Sequence, residues 1–392
     1  EALNGPVLIF AGAGSGKTRV LTHKISYLID TGKYKPENIL AVTFTNKAAK
    51  EMKTRVQKLL KKKNLKLYIS TFHSICAKLL RDEIHHLGYT SSFAIYDIED
   101  QASLLRVILN EMNISKDILT PKSVRSKISF YKNKMINPKE VQNKARKIND
   151  QLIGEVYGKY QSSLKENNAV DFDDLLILPL EIFSKYPEVL KKYQNKWKYI
   201  LVDEYQDTNR PQFLFVSQIA DSHKQICVVG DDDQSIYSWR GADIKNILGF
   251  KKVFPGCSVF TLKKNYRSTQ QILSAATAVV EKNEDRKAKT MESANGHGEK
   301  IGLLETVDEM EEADAIVSAL EKEISLNKRS FQNFAVLYRT NAQSRIIEDK
   351  LRKKAIPYQI IGGVKFYERK EIKDVLAFLK IISNSMDNVS MQ

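Results

Sequence analysis

The glycine-rich segment at residues 11–18, A-G-A-G-S-G-K-T, restricts the fold of this chain more than any other feature. It follows the apolar run at residues 7–10 and precedes a helical pattern that begins at Val20. This context matches the phosphate-binding pattern G-x-x-x-x-G-K-[ST], with Ala11 in place of the first glycine. Glycines let backbone N–H groups face phosphates, and the next helix adds positive potential. A glycine-rich turn that merely precedes Lys-Thr is the weaker alternative.

The residues of this loop have separable expected roles in holding ATP and Mg²⁺. We expect Lys17 to reach the β- and γ-phosphates and Thr18 to ligate Mg²⁺. Arg19 is expected to lie near the nucleotide. The backbone of the other loop residues is expected to surround the phosphates: Ala11, Gly12, Ala13, Gly14, Ser15 and Gly16.

Acidic and amide side chains follow two later apolar runs. Asp203 and Glu204 end one run, where the first is expected to hold Mg²⁺ and the second to orient or deprotonate the attacking water. Gln234 follows the next run and could sense the γ-phosphate, because an amide both donates and accepts hydrogen bonds. The acids at residues 231–233 have two interpretations, a strand-end turn with solvated carboxylates or a less expected metal cluster.

Strand and helix patterns alternate along most of the chain, which predicts an α/β fold with a parallel sheet. Residues 95–190 interrupt that alternation. There Val124, Ile128, Tyr131 and Met135 lie on one helical face, and basic residues such as Lys132 surround it. We predict a basic helical domain inserted into the sheet domain. After the polar stretch at 282–300, strands are predicted again at 301–304, 334–338 and 358–361.

Composition narrows the class of protein. The net charge of +15 fits either a polyanionic partner such as nucleic acid or a generally lysine-rich protein. The three cysteines show no metal-binding spacing, which fits a reducing cytoplasm. No apolar run reaches the roughly 20 residues that span a bilayer, so we expect no membrane partner. The first residue is Glu1 and not Met, and a strand is predicted to begin only a few residues later, so we expect the chain to be part of a longer protein.

Together these segments resemble the UvrD/Rep/PcrA-type superfamily 1 DNA helicases, and the PcrA branch in particular. The matching segments occur in the order of that family and cover nearly the whole chain. They are residues 11–18, 43–49 (T-F-T-N-K-A-A), 71–74 (T-F-H-S), 202–209 (V-D-E-Y-Q-D-T-N), 230–241 (G-D-D-D-Q-S-I-Y-S-W-R-G), 265–269 (N-Y-R-S-T) and 338–345 (Y-R-T-N-A-Q-S-R).

The resemblance implies a P-loop NTPase with two RecA-like parallel-sheet domains, the second incomplete. Residues 1–94 and 191–262 would form the first domain, with 95–190 as its helical insertion. Residues 263–382 would begin the second domain, and 383–392 would start a second insertion. The adenine-reading glutamine motif would precede Glu1, and the last two motifs would follow Gln392.

Further site residues follow from the resemblance. Arg267 matches the arginine finger that reaches the γ-phosphate, and Tyr266 matches the residue that stacks on adenine. Trp239, flanked by Tyr237 and Arg240 in a polar loop, is also the best candidate for base stacking on its own chemistry. Other expected DNA contacts are Phe44, Thr71, Phe72, His73, Arg339 and Asn341.

We expect an ATP-dependent 3′→5′ DNA helicase that translocates on single-stranded DNA in the bacterial cytoplasm, associated with the nucleoid. Its DNA partners would be single strands and junctions with a 3′ tail, and the family suggests partners in repair and replication. Two alternatives stay open, the motor of a helicase–nuclease complex and a DNA-binding fragment with little turnover. The run at residues 171–174, D-F-D-D, could indicate a two-metal nuclease, but a helix start capped by Asp171 is the stronger interpretation.

Overall fold

The computed structural model describes residues 4–283, 286–287, 289–361, 379 and 384, with Arg240 described through its backbone alone. The described residues form two compact units. One runs up to Gly298 and includes residues 379 and 384, and the other starts at Glu299. The predicted second insertion, 383–392, lies outside the described residues apart from Asn384.

The first unit contains the strands of the structure. They are β1 (Val7–Ala11), β2 (Ile39–Thr43), β3 (Tyr68–Thr71), β4 (Ala94–Tyr96), β5 (Ala169–Asp171), β6 (Tyr199–Val202), β7 (Ile226–Gly230), β8 (Ser258–Leu262), β9 (Lys264–Asn265) and β10 (Glu292–Ser293).

Six of these strands form one parallel sheet in the order β3-β2-β6-β7-β1-β8. Every residue of β1, β2, β6 and β7 is buried, as expected for central parallel strands with both faces covered. The order places the ends of β1, β6 and β7 close together, because β7 lies between the other two. The predicted α/β fold of the P-loop NTPase class is confirmed.

Helices cover the sheet and build the rest of both units. They are α1 (Lys17–Asp30), α2 (Asn46–Leu60), α3 (Phe72–Glu83), α4 (Ile98–Glu111), α5 (Pro121–Asn133), α6 (Pro138–Lys144), α7 (Ile148–Glu166), α8 (Asp174–Lys185), α9 (Pro187–Lys196), α10 (Arg210–Ala220), α11 (Lys245–Leu248), α12 (Phe250–Val253), α13 (Gln270–Val280), α14 (Glu309–Asn327) and α15 (Asn341–Lys353).

The two faces of the six-stranded sheet have separate cores, because alternate side chains of a strand point to opposite faces. Val7 and Ile9 pack with apolar residues of α1 and α2 on one face. Leu8 and Phe10 pack on the other face, with residues of α3, α8, α9 and α10. Trp197 is 1% exposed within this second core.

The helices α4 to α7 form their own core within residues 95–190, and Val124 and Ile128 are buried in it. The predicted helical domain also includes two short strands, since β4 pairs in parallel with β5. Each of these strands has only three residues, which is too short for a recognisable alternation. No helix in the described part of the chain is long and apolar enough to cross a membrane.

Lys132 is not the surface residue that the basic pattern predicted, since its side chain is 1% exposed. Its Nζ atom lies 2.7 Å from Asp171 Oδ2 and 2.7 Å from Asp174 Oδ1. Burial lowers the pKa of Lys132, but the two carboxylates outweigh it and raise this pKa. The Asp174 backbone N–H donates to Asp171 Oδ1 at 2.9 Å, which supports the helix-start interpretation. The positive charge of the buried Lys132 therefore compensates the negative charge of Asp171 and Asp174. Among the described residues, no group of acids, histidines and cysteines could hold a metal ion.

The second unit consists of α14 and α15 packed over a small core that includes Val317 and Leu351. The strands predicted at 301–304, 334–338 and 358–361 were wrong, because the described residues of this unit contain none. Leu303 is 94% exposed and Leu337 is 93% exposed. A strand needs a hydrogen-bonded neighbour to be stable, and the apolar pattern alone does not supply one.

Candidate nucleotide site and nucleic-acid interface

The glycine loop closes tightly between β1 and α1. Gly14 and Gly16 have φ angles of 68° and 92°, in the left-handed region that favours glycine. A Cβ at position 14 would lie 2.5 Å from the Cβ of Arg267, so this glycine also permits a close approach. Gly16 is the N-cap of α1 and supplies no side-chain acceptor to the first turn. The N–H groups of that turn can therefore receive an anion.

The two loop residues with reactive side chains face the acids that end β6. Lys17 Nζ lies 2.8 Å from Glu204 Oε2, and the lysine side chain is 10% exposed. Thr18 Oγ1 donates to Asp203 Oδ2 at 3.2 Å. The pairing joins side chains 185 and 187 positions apart in the sequence. The structure thus brings together the phosphate loop and the acidic pair that the sequence singled out.

The surroundings of Asp203 disfavour the ionised form of its carboxyl group. Burial is the main cause that raises its pKa to about 6, the nearby Glu204 adds to this, and Lys17 opposes it. A buried carboxylate beside a threonine hydroxyl presents hard oxygen ligands, the type that Mg²⁺ prefers. The residues therefore fit a magnesium ion, whose positive charge would favour the ionised form of Asp203.

Gln206 is a member of this site that the sequence reasoning did not single out. Its Nε2 donates to Glu204 Oε2 at 3.0 Å and to Asp207 Oδ2 at 3.1 Å. Its Oε1 accepts the backbone N–H of Asp231 at 2.9 Å. The side chain is fully engaged and the residue is only 1% exposed. The available signal was a polar residue two positions after the acidic pair, since a polar side chain buried near a strand end has to be hydrogen-bonded.

Gln234 follows β7 in a short 3₁₀ turn at Asp232–Gln234. Its Nε2 donates to Asp231 Oδ2, so the amide is held within its own loop. The acids at 231–233 form a turn, as interpreted, but they are not solvated. Asp231 and Asp232 are 2% and 4% exposed, and Lys289 pairs with both carboxylates. A lysine ammonium occupies the position that the alternative interpretation assigned to a metal ion.

The residues matched to the adenine and γ-phosphate contacts lie against the glycine loop. The Tyr266 backbone N–H donates to Gly14 O at 2.9 Å. Asn265 Nδ2 donates to Ala13 O at 2.5 Å, and Asn265 Oδ1 accepts the backbone N–H of Arg267 at 2.8 Å. The Tyr266 ring is 61% exposed, and Arg267 and Arg19 are also exposed. Arg267 belongs to the first compact unit by its contacts, and its expected origin in the second RecA-like domain stays a prediction.

Three aromatic residues that were predicted to contact DNA come together on one surface. The rings of Phe44 and Tyr237 stack, with centroids 5.0 Å apart and planes at 23°. Tyr237 and Trp239 follow at 6.4 Å and 47°. Trp239 is 73% exposed, in contrast to the buried Trp197. Arg240 ends the 3₁₀ turn Ser238–Arg240, and its side chain lies outside the described residues.

The prediction that Phe72, in the segment at 71–74, contacts DNA was wrong. Phe72 is 4% exposed within the core of the sheet, so its ring cannot contact DNA. Thr71 is the N-cap of α3 and accepts the Ser74 backbone N–H at 3.3 Å. Burial lowers the pKa of His73 to about 4, which leaves a neutral ring at neutral pH. That ring lies 5.0 Å from Phe172, an aromatic residue that is 54% exposed and that sequence reasoning had not assigned to DNA.

Arg339 and Asn341 lie in the second unit. Both are exposed at the start of α15, where the Arg339 backbone N–H donates to Gln343 Oε1 at 3.0 Å. Thr340 is the N-cap of this helix and forms a reciprocal capping box with Gln343. Their expected contact with the DNA backbone stays a prediction.

One side chain of the helical insertion reaches the loops of the sheet domain. Asn133, the last residue of α5, donates through Nδ2 to Asp173 Oδ1 at 2.9 Å. Its Oδ1 accepts from Asn209 Nδ2 at 2.7 Å. Gly241 lies so close that a Cβ there would be 3.2 Å from Asn133. A single asparagine thus joins the insertion to two of the loops that carry site residues.

Comparisons with known proteins agree with this geometry. A family model described as the UvrD/REP helicase N-terminal domain matches residues 1–255, and one described as the UvrD-like helicase C-terminal domain matches residues 260–392. The chain is 48% identical over 392 residues to the ATP-dependent DNA helicase PcrA of Staphylococcus aureus, covering all of this chain and 54% of the relative.

Two further relatives are similar to this chain over nearly the same residues. The ATP-dependent DNA helicase PcrA of Bacillus subtilis is 48% identical over 390 residues, which cover 53% of that protein. The Staphylococcus epidermidis protein of the same name is 47% identical over 388 residues, 99% of this chain and 53% of the relative. The chain therefore spans about half the length of the curated relatives it matches. By its phosphate loop, its paired acids and these matches, the chain belongs to the UvrD/Rep helicase family.

Proposed function

We propose that the protein is an ATP-dependent DNA helicase that translocates on single-stranded DNA. The observation that carries the proposal is the double pairing of Lys17 with Glu204 and of Thr18 with Asp203 beside the loops of Gln234 and Arg267. A buried lysine, an acidic pair and an amide around one loop are the groups that phosphoryl transfer from ATP requires.

In the proposed reaction, each of these groups has a separate role. The glycine loop and Lys17 bind the phosphates, and Lys17 must leave Glu204 to do so. Glu204 is then free to orient the attacking water and to accept its proton. Thr18 and Asp203 would hold Mg²⁺, which supplies charge neutralisation at the phosphate oxygens. Gln234 contacts the γ-phosphate and Arg267 neutralises charge on it in the transition state.

The aromatic surface supplies the DNA contact. Stacking on Phe44, Tyr237 and Trp239 binds bases without regard to sequence, and the net charge of +15 favours the phosphate backbone. Phe172 adds an exposed ring beside His73. Gln234 and Trp239 lie in one short loop, so a change at the γ-phosphate is transmitted to the DNA-binding surface through the chain itself.

Finer features of this proposal come from the family. We propose 3′→5′ movement, binding to single strands and to junctions with a 3′ tail, partners in repair or replication, and a site of action at the nucleoid in the bacterial cytoplasm. The relatives carry the name ATP-dependent DNA helicase, which supports the reaction but not these features.

ATP hydrolysis by the purified protein, with and without single-stranded DNA, tests the proposal. We expect DNA to stimulate hydrolysis and Lys17→Ala to abolish it, whereas Lys58→Ala on the exposed face of α2 leaves it unchanged. DNA-stimulated hydrolysis that survives Lys17→Ala would refute the assignment of the loop. Unwinding of 5′-tailed duplexes as fast as 3′-tailed ones would refute the direction.

The same assay separates the remaining alternatives. DNA binding without hydrolysis in the 392-residue chain, with hydrolysis in a version extended to the length of the relatives, would identify a binding segment with little turnover of its own. Nucleolytic products from that extended version would identify the motor of a helicase–nuclease complex.

A further inference from the structure

A buried ionic cluster joins the Gln234 loop to a segment more than fifty residues later in the chain. The acidic triad is Asp231, Asp232 and Asp233, directly after β7. Lys289 Nζ lies 2.6 Å from Asp232 Oδ1 and 3.0 Å from Asp233 Oδ2, and it also contacts Asp231 Oδ1. Its side chain is 5% exposed. One ammonium group therefore holds all three carboxylates.

The surrounding segment reinforces this arrangement. Arg286 donates to both carboxylate oxygens of Asp233, at 2.9 Å and 3.1 Å. The Lys287 backbone N–H donates to Asp232 Oδ2 at 2.6 Å. Burial raises the pKa of Asp233, but hydrogen bonds from Arg286 and Lys289 outweigh it and lower this pKa. Three acids against two basic side chains form a cluster in which loss of one cation leaves buried charge uncompensated.

The segment also borders the phosphate loop. A Cβ at Gly12 would lie 2.7 Å from Met291 Sδ, and Lys287 Nζ lies 4.4 Å from the centre of the Phe10 ring. Lys289 therefore lies in the sequence between Lys287 and Met291, which approach β1 and the glycine loop, while its own side chain pairs with the acids that follow β7.

The acidic triad determines how the Gln234 amide points. An ionised carboxylate only accepts hydrogen bonds, so Asp231 Oδ2 requires the NH₂ group of Gln234 to face it. One N–H of the Gln234 amide therefore donates to Asp231. This hydrogen bond orients the second N–H and the Oε1 atom of Gln234. Without a cation, three adjacent carboxylates repel one another, and Asp231 would lose the position that fixes the amide.

We propose that Lys289 is a positioning residue for ATP hydrolysis. It acts on Gln234 by holding the acidic triad, whose Asp231 carboxylate accepts the hydrogen bond from the Gln234 amide. The inference rests on the proposed function, since Gln234 matters only if it contacts the γ-phosphate. Lys289 itself touches neither nucleotide nor DNA in this role.

The test compares Lys289→Met, Lys289→Arg and the exposed-surface control Lys252→Met, each alone and in a Gln234→Ala background. We expect Lys289→Met to lower the kcat of DNA-stimulated ATP hydrolysis by roughly 10- to 100-fold, as outer-shell partners of reactive groups do. The KM for ATP stays within about twofold, because the phosphate loop is intact. Lys289→Arg is expected to retain most of the native kcat, because it keeps the positive charge. Lys252→Met is expected to have the native kcat and KM.

The double variant distinguishes positioning from general support of the fold. If Lys289 acts through Gln234, Lys289→Met causes no further loss of kcat once Gln234 is alanine. The inference would be overturned if the fold-losses of kcat caused by Lys289→Met and Gln234→Ala multiplied in the double variant. An unchanged kcat in Lys289→Met would also overturn it. If Lys289→Met does not fold, Lys289→Gln gives the same cycle, because it removes the positive charge from the acidic triad but keeps a polar group that can donate hydrogen bonds. A native protein without DNA-stimulated hydrolysis would instead refute the proposed function, and the inference with it.

Discussion

Replacing Asp203 with asparagine should make the protein more stable while removing a group that the proposed reaction needs. The ordinary carboxyl pKa of 3.8 rises to about 6 in the folded protein, chiefly through burial and then through Glu204. The folded protein therefore binds this proton about a hundredfold more tightly than the unfolded chain, a difference of roughly 3 kcal/mol. At pH 8 the native protein has to keep the carboxylate charged against that preference, whereas the asparagine side chain of the variant is neutral.

The sign of the pH dependence follows from the raised pKa. As the pH falls below about 6, the folded protein takes up a proton that the unfolded chain does not yet bind, so the native protein gains stability. The advantage of Asp203→Asn should be about 3 kcal/mol at pH 8 and about half of that at pH 5. Asparagine keeps an oxygen for the Glu204 backbone N–H and an amide for Thr18, so few contacts are lost.

Urea unfolding followed by tryptophan fluorescence measures this difference. Trp197 is 1% exposed in the same core as Val202, next to the site, and reports on unfolding of the sheet. Asp30→Asn, at an exposed carboxylate, is the matched control and should change the free energy of unfolding by less than about 0.5 kcal/mol. A difference for Asp203→Asn below about 1 kcal/mol at pH 8, or one that does not change between pH 8 and pH 5, would refute the reasoning.

Two further substitutions test other parts of the structure. Lys132→Met should destabilise the protein by roughly 3–5 kcal/mol in urea unfolding, because it leaves Asp171 and Asp174 without their buried cation. Lys159→Met, which breaks an exposed pair with Glu111, should cost less than about 1 kcal/mol, and equal losses would contradict the distinction. Trp239→Ala should weaken single-stranded DNA binding by about 1–3 kcal/mol in a fluorescence anisotropy titration. Unchanged affinity would remove Trp239 from the proposed DNA surface.

The sequence predicted the central sheet well because buried parallel strands are short continuous apolar runs. The apolar run at residues 7–10 lies within β1 (Val7–Ala11), and the apolar run that ends at Asp203 and Glu204 forms β6 (Tyr199–Val202). The sequence also predicted acids close to the phosphate loop, since such a loop implies an acid at the end of a nearby strand, but it did not predict that Lys17 pairs with Glu204.

The rest depended on tertiary contacts that no local pattern encodes. Lys132 looked like one basic residue among several, and only the fold shows that Asp171 and Asp174 surround it. The ion pairs of Lys289 join residues 56 to 58 positions apart, so spacing could not predict them. In the opposite direction, the apolar pattern around Leu303 predicted a strand, but an isolated segment has no ladder to join.

The contact made by Asn133 ties the rotational phase of α5 to the nucleotide-binding sheet. Consecutive residues of a helix are about 100° apart around its axis, so one residue inserted upstream in α5 would swing Asn133 away from Asp173 and Asn209. The same rotation would withdraw Lys132 from its acids. Length changes in the loops between the helices of the insertion leave this phase untouched. Asn133 and Lys132 therefore constrain the number of residues in α5, whereas these contacts place no such constraint on the loops between the helices of the insertion.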